Sequence, residues 1–152
     1  MKPERIIIHC AATPNGKAFS ASEIDRWHRE RGFRRSKQGR GREWLQAIGY
    51  HFVIGLSGEV DPGRDEDEVG AHTAGWNTDS LGICLIGTDR FTPAQWAALG
   101  DLVDDLKARH GISEVRGHRD FNSAKECPCF DAETWDATRV IPAANVLDDE
   151  SL

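Results

Sequence analysis

Six histidines and four cysteines carry most of the metal-binding and nucleophilic capacity of this chain. The densest stretch is Gly117-His118-Arg119-Asp120-Phe121-Asn122-Ser123-Ala124-Lys125-Glu126-Cys127-Pro128-Cys129-Phe130, in which His118 and Cys127 stand nine residues apart behind a short extended run. Imidazole plus thiolate is a donor pair suited to zinc. Two ligands are too few, and His9 is the attractive third. It closes the apolar run Ile6-Ile7-Ile8, where an unpaired imidazole would be costly to bury and a ligated one is satisfied. Three protein ligands with a fourth position open is the arrangement of catalytic zinc. On spacing alone two other readings stay open: hydrogen-bonded histidines beside a core cysteine, or a thiol mechanism with Cys127 as nucleophile and His118 as base.

The other histidines and cysteines have plainer expectations. Cys10 and Cys84 lie inside apolar runs, where free cysteine behaves as a small buried hydrophobe. Cys127 and Cys129 are too close in sequence for a comfortable bridge, so all four thiols are expected reduced. His28 and His110 fall near the ends of expected helices, where solvent or helix-end contacts suffice.

The elements that must position these residues alternate in type. Arg5 to Cys10 reads as a short β-branched strand. Ser20-Ala21-Ser22-Glu23 is a capping box opening a helix with the stripe Ile24, Trp27, His28. Tyr50 to Gly55 and Leu81 to Gly87 read as strands, with a turn and a returning strand in Leu56-Ser57-Gly58-Glu59-Val60. Thr92-Pro93-Ala94-Gln95 starts the clearest helix, whose apolar residues Trp96, Leu99, Leu102, Val103 and Leu106 keep helical spacing up to a stop at His110-Gly111. Val115 to His118 is short and extended, and Asp131 caps a last helix through Trp135. Strands separated by helices imply an α/β fold, a single domain with a central mixed β-sheet flanked by helices.

At 152 residues the chain is about one domain long. We expect that domain over 1–145, with 146–152 an acidic tail around Asp148-Asp149-Glu150. No run approaches the length of a membrane span, and the first residues read poorly as a signal peptide, so a cytoplasmic product and no membrane partner are expected. The net charge of −6 hides a segment from Asp25 to Glu43 of +5, against −11 for the remainder. Arg34 to Arg42 reads as an exposed, solvated basic loop; a contact with an acidic polymer or a regulatory protein is the sharper reading. An acidic chain with one basic stretch is a poor nucleic-acid binder.

Seven blocks occur in an order that resembles a known family: His9-Cys10-Ala11-Ala12-Thr13, Gly49-Tyr50-His51-Phe52-Val53-Ile54, Val69-Gly70-Ala71-His72, Gly75-Trp76-Asn77, Ser80-Leu81-Gly82-Ile83-Cys84-Leu85-Ile86-Gly87, Gly117-His118-Arg119-Asp120, and Lys125-Glu126-Cys127-Pro128. Together they look like the zinc-dependent N-acetylmuramoyl-L-alanine amidases, the group of the short phage lysozymes and the peptidoglycan-recognition domains. The resemblance covers roughly Ile6 to Trp135. It implies a peptidoglycan-recognition-like fold and one catalytic Zn2+ on His9, His118 and Cys127. It also implies catalytic roles for Tyr50, the only tyrosine present, and Lys125, with substrate contacts from His72, Trp76 and Asn77. The substrate would be peptidoglycan, cut at the amide between N-acetylmuramic acid and L-alanine by a monomeric phage or prophage endolysin acting on the cell wall after release across the inner membrane. A non-catalytic peptidoglycan-binding domain is the alternative, although relatives of that kind typically lack the cysteine ligand. Strand alternation places Tyr50, Phe52 and Ile54 on one face and His51 and Val53 on the other, which gives His51 a hydrogen-bonded packing role. Cys129, where many relatives carry a small residue, has no assigned role.

Overall fold

β1 (Arg5–Cys10) is buried from end to end in the computed structural model, which describes residues 1–35 and 42–148. A strand this apolar belongs inside a parallel sheet covered on both faces, and β1 lies between two parallel partners, β4 (Ser80–Leu85) and β5 (Glu114–Gly117). β2 (Phe52–Ile54) extends the sheet parallel to β4, and β3 (Val60–Pro62) returns antiparallel at the edge, giving the order β3-β2-β4-β1-β5. Parallel neighbours need long crossovers; α1 (Ala21–Glu30) and α2 (Pro93–His110) lie on two of them.

Side-chain alternation along the strands divides the core. Ile6, Ile8 and Cys10 of β1 join Leu81, Ile83 and Leu85 of β4 against Trp96, Leu99, Val103 and Leu106 of α2 and Trp135 of α3 (Ala132–Thr138). Val53, Cys84 and Ile86 face the other way, against Ala21 and Ile24 of α1 with Leu45 and Ile48. Cys10 and Cys84 are therefore core residues, as expected, on opposite faces of one sheet.

The helix starts form as their sequences dictate. Ser20 Oγ accepts from the Glu23 N–H at 3.3 Å while the Ser20 N–H donates to Glu23 at 2.7 Å. Thr92 and Gln95 repeat the box at 3.1 and 2.9 Å, and the Gln95 amide also donates to the carbonyls of Ile54 and Ile86, tying α2 to the ends of β2 and β4. Gly111 ends α2 in the left-handed region at φ 68°.

Three boundaries differ from expectation. The strand expected from Tyr50 begins only at Phe52, because Tyr50 and His51 turn their backbone groups to Arg64, Gly63 and Gly82 instead of to a regular ladder. The domain continues past 145: Val146 bridges Phe91, and Leu147 is buried with its N–H on the Phe91 carbonyl. The remainder of the expected tail, 149–152, lies outside the described residues, as does 36–41 of the basic loop. Arg35, expected in solvent, is buried: it forms an ion pair with buried Glu68 at 3.0 Å and donates to the Leu45 carbonyl. Arg42 pairs with Asp65 at 2.5 Å, so both flanks of that loop are fastened to one turn.

Candidate metal centre

The sheet brings the first two candidate ligands together by register. Ile8 pairs with Gly117 across the parallel β1–β5 ladder, so the next residues, His9 and His118, stand side by side where the strands end. Their ring centroids are 4.8 Å apart. The carboxyl ends of parallel strands are where open α/β sheets place their ligands. Cys127 arrives on the loop beyond a 3-10 turn over His118–Asp120, and its carbonyl accepts from the Arg119 N–H at 2.8 Å. The close return depends on Gly117, since a Cβ there would stand 2.7 Å from Pro128 Cδ. The Cys127 sulfur accepts the Cys10 backbone N–H at 3.1 Å, which holds the side chain against the end of β1.

Among the described residues, the donor atoms of His9, His118 and Cys127 form the one group of three able to hold a metal, all within 4.8 Å of one another. That is the scale of a single coordination sphere, and two imidazoles plus a thiolate suit a borderline-soft ion. Burial, then repulsion from the neighbouring imidazoles of His72, His118, His28 and His51, pushes the His9 pKa well down. Burial and then the Lys125 charge lower that of His118. Both rings are thus neutral at pH 7, the form that donates to a metal.

A cavity of about 620 Å³ opens on these ligands and is also lined by Tyr50, Lys125, His28, Arg31 and Phe33. The half-buried Tyr50 ring lies 5.1 Å from His9 and 5.3 Å from His28, centroid to centroid. It packs on the Val53 side of the sheet, not the Phe52 side, so the expected alternation fails for want of a regular strand at 50–51. Burial, followed by nearby cysteines, raises the phenol pKa and keeps it protonated. His51 is fully buried, accepting the Gly82 N–H at 3.0 Å and donating to the Glu68 carbonyl at 2.7 Å. Lys125 is exposed at the rim.

The three residues expected to touch substrate separate. His72 is buried behind His9, with its Nδ1 2.9 Å from His9 Nε2. Asn77 Oδ1 accepts the backbone N–H groups of His72 and Thr73, both at 2.9 Å, and so closes the turn that carries them. Trp76 is exposed, stacked at 4.4 Å on Phe121, which lines the cavity, and covered by the Arg5 guanidinium.

Sequence reasoning missed His28 and Thr73. His28, expected to make solvent or helix-end contacts, is buried in the cavity wall and accepts the Gly49 N–H on Nδ1 at 2.8 Å. Its spacing of four from Ile24 on the inner helix stripe was the available signal. His110, at the end of α2, lies 2.7 Å from the carboxylate of Glu66, a partner remote in sequence. Cys129 packs against the core, not the cavity, and burial lifts its thiol to about 11.

Comparison with known proteins identifies the family. Residues 1–130 match the family model described as N-acetylmuramoyl-L-alanine amidase. The endolysin of Enterobacteria phage T3 is 39% identical over 140 residues, covering 87% of this chain and 84% of the relative. The endolysin of Escherichia phage T7 is 36% identical over 140 residues, with the same coverage of 87% and 84%. Among solved structures, the N-acetylmuramoyl-L-alanine amidase LysC from Clostridium intestinale superposes with a TM-score of 0.74 at 28% identity, over 91% of this chain and 84% of that one. The sheet, the cavity and the sequence blocks along it thus have one explanation: the chain belongs to the N-acetylmuramoyl-L-alanine amidase family.

Proposed function

We propose that this amidase is a zinc enzyme in which His9, His118 and Cys127 hold one Zn2+, and that it serves as a phage or prophage endolysin. The carrying observation is the convergence of two neutral imidazoles and a thiol, from three separate segments, on one side of an open cavity. When bound, zinc supplies Lewis acidity and makes a water reactive at neutral pH.

The chain's own residues do the rest. The scissile bond is the amide between the lactyl group of N-acetylmuramic acid and L-alanine. Lys125 at the rim brings positive charge to the oxyanion that develops on the carbonyl under attack. Tyr50, kept protonated by its surroundings, donates a hydrogen bond to the reacting group and can deliver a proton to the departing amine. The neutral His28, its Nδ1 engaged by Gly49, backs the Tyr50 ring and fixes its orientation. Trp76, supported by Phe121, offers an apolar surface to a sugar ring, and Asn77 retains its amide N–H groups for the substrate.

Metal analysis paired with mass spectrometry of digested peptidoglycan tests the assignment. The expected result is one zinc per chain and released stem peptides with a free L-alanine amine. Freed reducing sugars would instead identify a glycosidase, and activity that survives a strong chelator would favour Cys127 as a nucleophile.

A further inference from the structure

We propose that His72 is a positioning residue for the metal centre, holding His9 in the tautomer that leaves Nδ1 to the ion. The inference deepens the zinc reading above and rests on it.

The proton assignment follows from the partners. His72 Nε2 faces the Ser80 carbonyl at 3.4 Å, and a carbonyl can only accept, so the His72 proton is on Nε2 and its Nδ1 is an acceptor. That Nδ1 lies 2.9 Å from His9 Nε2. His9 must therefore donate through Nε2–H, and its lone pair is on Nδ1. Thr73 Oγ1, 3.0 Å from His72 Nδ1 and 3.3 Å from His9 Nε2, closes a three-membered polar cluster. All three side chains are buried in the wall of the cavity.

The fold is shaped around this ring. A Cβ at Gly70 would stand 2.6 Å from His72 Cδ2, and one at Gly82 would stand 2.7 Å from His72 Cγ and Cδ2. The imidazole is seated between two backbones that carry no side chains. Asn77 then fixes the chain direction at 72 and 73 through its two backbone contacts. A residue meant for substrate would not need so closed a seat, whereas a partner that orients a ligand histidine does. Such partners commonly contribute about 10- to 100-fold to metal affinity.

The test is the zinc dissociation constant, measured by competition with a chromogenic chelator, for the unmodified protein, His72→Phe and His72→Gln. Phenylalanine fills the seat without an acceptor and should weaken zinc binding about 10- to 100-fold. Glutamine can accept through its amide oxygen and should recover most of that loss. Unchanged zinc affinity in folded His72→Phe overturns the proposal, and so does a raised KM with zinc affinity intact, which would return His72 to substrate contact. Should His72→Phe not fold, the imidazole 15N spectrum of the unmodified, zinc-loaded protein decides: metal on His9 Nδ1 with a proton on Nε2 supports the proposal, and the reverse overturns it. An unmodified protein that binds no zinc at this site overturns the metal reading itself, and this inference with it.

Discussion

Cys127 owes its position to a missing side chain. Gly117 lets Pro128 come within a contact distance that no Cβ would tolerate, and the loop then lays the sulfur against the Cys10 N–H. Replacing the sulfur should be decisive: Cys127→Ala is expected to fold, to lose stoichiometric zinc and to lose lysis, as read by metal content and turbidity clearing of cell walls. Tyr50→Phe is a gentler probe. The ring contacts with His9 and His28 survive, only the phenol is lost, and kcat should fall about 100-fold with zinc content unchanged. An equal loss of zinc would mean that the phenol supports the metal and not the reaction. Residue types made the three ligands a candidate set, because few side chains satisfy zinc, but left other readings open until the order of the sequence blocks was added. The imidazole nitrogen involved, and the burial of His28, depend on tertiary partners such as Ser80 and Gly49, which lie far away in sequence.

At the level of elements, α2 and β1 were legible because local chemistry and tertiary packing agree there. The Thr92-to-Gln95 box, the helical stripe and the Gly111 stop each specify the same helix. Thr92 does more than cap: its hydroxyl donates to the Leu56 carbonyl at 2.6 Å, joining the helix start to the turn between β2 and β3. Thr92→Ala should therefore cost about 1–2 kcal/mol in urea unfolding, with kcat little changed. β2 was legible only in outline. Three residues leave little room for alternation to assert itself, and His51 and Tyr50 are claimed by Gly63, Arg64 and Gly82 before the ladder begins. Arg35 was misread for a similar reason. A guanidinium in a basic run looks solvated until Glu68, which is remote in sequence, is found buried beside it.

For the molecule as a whole, the buried neutral histidines govern acid stability. His28 and His51 are both lowered to about 4, chiefly by burial. In the unfolded chain a histidine takes up its proton below about pH 6.5, whereas these two resist until about pH 4. Their contribution to stability is complete above about pH 6.5 and is withdrawn as the pH falls through that window, at about 1.4 kcal/mol per pH unit for each group. Glu68 acts lower down: burial raises its pKa, but the hydrogen bonds and charge of Arg35 outweigh burial and leave it depressed, so its contribution is lost only as the pH falls below the ordinary carboxylate range. Urea unfolding of zinc-free protein should thus weaken steadily from about pH 6.5 downward. A flat profile between pH 7 and 5 would contradict this account of the histidines.

The paired anchors at Arg35 and Arg42 also define a graft point. Arg35 and Arg42 are both fastened to the turn containing Asp65 and Glu68. With both ends held in this way, doubling a flexible insert between them adds only about 0.6 kcal/mol of closure entropy. A wall-binding module inserted after Gln38 should leave zinc content and thermal midpoint nearly unchanged, as checked by metal analysis and calorimetry. The same module placed after Ala124 should abolish both lysis and zinc retention. The basic loop would then serve as a socket through which this amidase can be redirected to new cell walls.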